Sequence, residues 1–91
     1  MKVIKLHPHN SAWKYGFTHA LRFDGWNTQA ARAEDFLYKM YNTATYDRKG
    51  PYYSKFGYKH KNANSKPYWI NLRNEADITV LLLIGVVDEK S

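Results

Sequence analysis

Polar and apolar residues alternate along two stretches of the chain and recur at helical spacing along a third. Phe17, His19, Leu21 and Phe23 fall on one side of an extended segment 17–23, with Thr18, Ala20 and Arg22 on the other. A period of two predicts a half-buried strand, closed by the turn pair Asp24-Gly25. Residues 2–6 read the same way. Ile4 and Leu6 share one face, Lys5 and His7 the other, and Pro8 ends the strand by lacking a donor. The two strands are expected to pair as a hairpin across residues 8–15. Ala33, Phe36, Leu37, Met40, Tyr41 and Ala44 form one apolar stripe at helical spacing, which predicts a helix over 28–42. Asn27 or Thr28 supplies its N-cap. Asp35 and Lys39 lie four apart on its polar side, the order that favours an ion pair.

The second half is punctuated by Gly50-Pro51, Gly57 and the polar run 62–67. Tyr52–Lys59 reads as a strand with Tyr53, Lys55 and Gly57 on one side and Ser54, Phe56 and Tyr58 on the other, weakened by Gly57. Tyr68–Arg73 reads as its hairpin partner across a basic loop. The run 78–84 carries no charge and is apolar apart from Thr79, and two readings of it stay open. Asn74, Glu75 and Asp77 suit the start of a helix that Gly85 ends, whereas Ile78, Thr79, Val80, Ile84, Val86 and Val87 favour a strand. At ten residues, the stretch 78–87 is too short to cross a membrane.

These elements predict a single α+β domain over residues 1–91, one main helix packed on a small antiparallel sheet. The predicted core is Ile4, Leu6, Leu21, Phe23, Ala33, Leu37, Met40, Trp69, Ile70, Leu72, Ile78, Leu81 and Leu83. Cysteine is absent, which removes disulfides, thiolate metal sites and cysteine nucleophiles. The first residues hold no apolar stretch long enough for a signal peptide, so a cytoplasmic setting is expected.

Charge changes the picture. The net charge is +6, and seven of the basic residues lie between Arg48 and Arg73, an interval with no Asp or Glu. The other residues carry seven basic and eight acidic groups, so the whole positive excess belongs to one segment. That asymmetry points to an anionic partner. Six aromatic residues are interleaved with those cations: Tyr52, Tyr53, Phe56, Tyr58, Tyr68 and Trp69. Cations for phosphates beside flat rings for bases are what single-strand binding needs. A sheet with a soluble rim uses the same residue types.

Around Tyr68–Gly85 the sequence resembles a segment of small uncharacterised proteins of tailed phages: an aromatic-rich strand, acidic residues, then an apolar element. The matching residues are Trp69, Ile70, Glu75, Asp77-Ile78, Leu81 and Leu83. Ile78 stands where Ala is usual, and Gly85 where an aromatic is common. The resemblance implies a ferredoxin-like half-fold, β-α-β-β with a final element, and a viral source. It carries no catalytic residue.

The expected function is therefore that of a non-catalytic, phage-type accessory protein acting on a host macromolecule in the host cytoplasm. The expected contact residues are Arg48, Lys49, Tyr52, Tyr53, Lys55, Tyr58, Lys59, His60, Lys61, Lys66 and Arg73. The partner is an acidic host protein surface. The alternative is single-stranded DNA or RNA on the same residues, and a second alternative is a virion or assembly component, with a homodimer through an exposed edge strand. No membrane partner and no cofactor are expected. His7 and His9 share a direction on an extended chain, but no Cys or paired Glu completes a metal-ligand pattern. The carboxylate pairs Glu34-Asp35 and Asp88-Glu89 are sequence neighbours and face apart, so no acid/base couple is expected.

Overall fold

The computed structural model describes residues 1–43 and 48–88. The elements in order are β1 (Lys2–Lys5), a short 3-10 helix (Trp13–Tyr15), β2 (His19–Phe23), α1 (Thr28–Tyr41), β3 (Tyr52–Phe56), β4 (Tyr68–Leu72) and α2 (Glu75–Leu83). The four strands form one antiparallel sheet in the order β1-β2-β4-β3. Among the described residues no helix is long and apolar enough to cross a membrane.

β2 and β3 are both antiparallel to β4, which lies between them. They therefore run parallel to each other and are joined through α1, a split β-α-β unit. This is the ferredoxin-like half-fold with α2 as its final element. The outer strand beside β2 comes from the N-terminal end of the chain, whereas a β-α-β-β-α-β order would supply it after the second helix.

Both helices cover one face of the sheet. Ala30, Ala33 and Leu37 of α1 and Ile78 and Leu81 of α2 pack with Leu21, Phe23, Ile70 and Leu72. α1 starts where the Asn27 side chain accepts the Ala30 N–H at 2.9 Å, and it stops at Asn42 in a left-handed conformation, φ 53°. Asp35 and Lys39 form the expected ion pair at 3.0 Å. α2 is a helix, not a strand. The Asn74 side chain accepts the Ala76 N–H, and Glu75 and Asp77 occupy the positive end of the helix dipole. The Tyr41 hydroxyl donates to Asp77 at 2.5 Å and joins the two helices.

Three core expectations and one strand-face expectation need correction. Met40 is 42% exposed, because Tyr41 takes the inward position one turn beyond Leu37. Leu83 is 81% exposed. At about 100° per residue it points roughly opposite the buried Leu81. Trp69 is half-buried on the other side of the sheet, since alternation turns Tyr68, Ile70 and Leu72 toward the helices. Phe17 does not share a face with Leu21 and Phe23. Gly16 adopts φ 92°, the strand starts only at His19, and Phe17 is buried in a second cluster with Leu6, Ala12 and Ala20. Ala44 of the predicted stripe lies outside the described residues.

That second cluster exists because residues 6–18 cross the face opposite the helices. The crossing is held by Leu6 N–H to the Thr18 carbonyl and by Phe17 N–H to the Ala12 carbonyl. It covers the cross-strand row Ile4–Ala20–Asn71–Tyr53, with Ile4, Tyr53 and, from the next row, Trp69 packed against the cluster. The neighbouring row on the same face, Lys2–Arg22–Trp69–Lys55, is a different case.

Candidate nucleic-acid interface

Register brings the candidate site together. Arg22 pairs with Trp69, and Trp69 pairs with Lys55 on its other side. Opposed residues of antiparallel strands point to the same face, with Cβ atoms about 5 Å apart. A ring is thus flanked across the sheet by two cations. These residues and Asn71 floor a cleft of about 700 Å³, within the roughly 300–1,000 Å³ typical of ligand pockets. One wall is His9, Asn10 and Ser11. The other is Phe56 to His60 with Lys66 and Pro67. Among the described residues that line it none is acidic. The nearest carboxylate in sequence, Asp24, belongs to an adjoining hollow with Arg22 and His60.

The walls are tied down. Lys55 Nζ donates to Ser11 Oγ at 3.0 Å across the cleft. Ser65 Oγ donates to the Asp24 carbonyl at 2.8 Å, and Gly57 N–H donates to the Pro67 carbonyl at 2.8 Å, so the basic loop is pinned at both ends. Behind the cleft, Tyr68 stacks edge-on with Phe56 and Trp26, centroids 4.8 and 5.0 Å away. The Tyr68 hydroxyl donates to the Glu34 carboxylate; burial and that carboxylate push its pKa well above the tyrosine range.

The eleven expected contact residues sort into three groups. Lys55, Tyr58, Lys59, His60 and Lys66 line the cleft. Tyr58 is 96% exposed. Arg48 and Lys49 are exposed and Tyr53 is half-buried at the opposite end of β3, while Lys61 sits on the outer loop beyond the lining. Tyr52 and Arg73 are not contact residues. Tyr52 is buried among the helices, and its hydroxyl donates to the Thr43 carbonyl at 2.8 Å. Arg73 lies over the Phe17 ring at 4.1 Å and donates to the carbonyls of Gly50, Arg48 and Tyr15. It clamps the 48–50 loop to the 3-10 helix, with all three guanidinium nitrogens donating to backbone carbonyls.

Arg22, Trp69 as a half-buried ring in the cleft floor, and the His9–Ser11 wall are not among the residues expected from sequence. Arg22 lies outside the basic segment, and only the β2–β4 register joins it to Trp69. The alternation that puts Arg22 opposite Leu21 and Phe23 was the available signal. His7 and His9 stack on each other in the open, centroids 5.1 Å apart. His19 is half-buried, with Nδ1 2.9 Å from the Thr18 hydroxyl and Nε2 3.9 Å from Glu75. Among the described residues no three His, Asp or Glu side chains converge on a metal-sized site. Comparison with protein families, with characterised proteins and with solved structures gave no match for this chain.

Proposed function

We propose that this protein is a non-catalytic binding domain for single-stranded nucleic acid, which lies in the cleft on the open face of the sheet. The observation that carries the reading is the row Arg22–Trp69–Lys55, a ring between two cations in a cleft whose described lining includes no carboxylate. A base stacked on Trp69 contributes about 1–3 kcal/mol, and each cation adds a salt-sensitive phosphate contact. Lys59, Lys66 and His60 extend the positive wall. The walled shape favours a single strand, whose bases are free to enter, over a duplex.

The test is fluorescence anisotropy with labelled oligothymidylate, in parallel with a duplex of equal length. Affinity for the single strand is expected to fall steeply between about 50 and 200 mM salt. Arg22→Ala and Lys55→Ala should each lower the slope of log K against log salt by about 0.7. Absence of binding at low salt, or slopes unaffected in both variants, overturns the proposal.

A second reading takes the same surface as a docking arm for an acidic host protein, in the manner of a phage accessory protein. Tyr58 favours it, because a ring 96% exposed beside Lys59 suits an aromatic interface anchor. Here Tyr58→Ala would abolish a stoichiometric protein complex at physiological salt, and wild type would show no salt-sensitive oligothymidylate binding.

A further inference from the structure

We propose a second, pre-organised contact point for the same strand at Arg48 and Tyr15, so that the ligand path continues from the cleft wall at Ser11 over the 3-10 helix that covers this end of β3; this rests on the single-strand reading above. Tyr53 lies two residues before Lys55 and shares its face of β3, a step of about 7 Å along the strand. The Arg48 guanidinium carbon is 5.9 Å from the Tyr53 ring centroid and 5.0 Å from that of Tyr15. Arg48 Nη1 donates to the Tyr15 hydroxyl at 3.0 Å. Both Arg48 and Tyr15 are exposed.

Arg73 makes this a built pair. Its Nη2 donates to the Arg48 carbonyl at 2.6 Å, its Nη1 donates to the Tyr15 carbonyl, and its Nε donates to the Gly50 carbonyl at 2.8 Å. One guanidinium therefore fixes the backbones of two loops that are 33 residues apart at Tyr15 and Arg48. The exposed ring and cation they carry are held next to each other before any ligand arrives, which lowers the ordering cost of binding. Lys14 and Lys49, also exposed, are their sequence neighbours. From Lys55 in the cleft the pair is reached by the strand step of about 7 Å to Tyr53 and the further 5.9 Å from the Tyr53 ring to the Arg48 guanidinium. A strand of about four or more nucleotides, the lower end of known single-strand site sizes, is the ligand that engages both.

The experiment is a length series of oligothymidylates, from dinucleotide to decanucleotide, titrated into wild type and into the Arg48→Ala, Tyr15→Ala double variant. For wild type, affinity should rise with length until about four to eight nucleotides and then level off. The double variant should lose more with every added nucleotide over that interval, reaching at least about fivefold for the longest oligomer, the weakest effect expected of one stacked base. Arg48→Glu, which keeps a long side chain but reverses its charge, should deepen the loss for long oligomers. Matching thermal midpoints show that the variants remain folded. Parallel length curves for wild type and both variants overturn the inference while leaving the cleft reading in place. Failure of every oligomer to bind wild type overturns both.

Discussion

Gly57 lies so close to the edge of the Trp69 indole that a Cβ at that position would stand 2.7 Å from Nε1. The same Cβ would lie 3.1 Å from Pro67 Cγ. The chain leaves β3 here and turns directly into the cleft wall, and only a residue without a side chain lets it pass the ring. Gly57→Ala is therefore expected to displace the indole. The cost should be about 1–3 kcal/mol, as for other overpacked sites. Single-strand affinity should fall with it, read by calorimetric melting and by the same anisotropy titration. An alanine variant that melts and binds like wild type would contradict this placement of Trp69.

Leu37 and Met40 test the helix-to-sheet packing. Leu37 is fully buried against the sheet, whereas Met40 points to solvent. Leu37→Ala should cost about 2–5 kcal/mol. Met40→Ala should stay within about 0.5 kcal/mol. Urea denaturation at constant m-value measures both.

High pH should unfold the protein through its tyrosines. Burial first, then the hydrogen bond to Asp77, pushes the Tyr41 pKa up from 10.0 to about 12. Tyr52 and Tyr68 are also raised, chiefly by burial. A folded-state pKa above the unfolded one means the native state holds its proton longer. The stabilisation is complete below pH 10 and is lost as pH climbs from 10 toward 12. Tyr41→Phe should make the decline over that window shallower, as followed by circular dichroism.

Arg73 should behave as a structural residue. Arg73→Ala removes three bonds to backbone carbonyls, and the loss of stability should be of the order of 2 kcal/mol. Arg73→Lys should rescue little, because an ammonium group lacks the planar fork that reaches several acceptors at once. Equilibrium denaturation of the two variants makes the comparison.

Much of this fold is legible in the residues, and the parts that are not have physical reasons. Asn27 and the Ala33–Leu37 spacing define α1 because both signals are local. The β3–β4 hairpin follows from two aromatic strands around a polar loop. The run 78–84 reads as either element because it has no polar face; the Asn74 cap and packing against β4 make it helical. Phe17 continues the alternation of β2 on paper, yet Gly16 turns the chain and sends its ring to the opposite face. The site was harder. Tyr52 and Tyr53 look equivalent in sequence, and only the sheet decides that one faces the helices. Arg73 looks like any other cation until three carbonyls are found around it. Arg22 and Tyr15 lie outside the basic segment, and tertiary pairing alone brings Arg22 to Trp69 and Tyr15 to Arg48.

Arg22 and Lys55 arise from strands that both pair with β4. Adjacent strands are about 4.8 Å apart, so hydrogen-bonded backbone holds these two positions roughly 10 Å from each other, and neither can migrate toward the other. The Debye length at physiological ionic strength is about 8 Å, so each cation there acts as a nearly separate attractor rather than as half of a merged field. The sheet thus works as a ruler with fixed marks. On the proposed reading, a flexible polyanion would fit its own charge spacing to those marks, and the conformational adjustment would fall on the ligand.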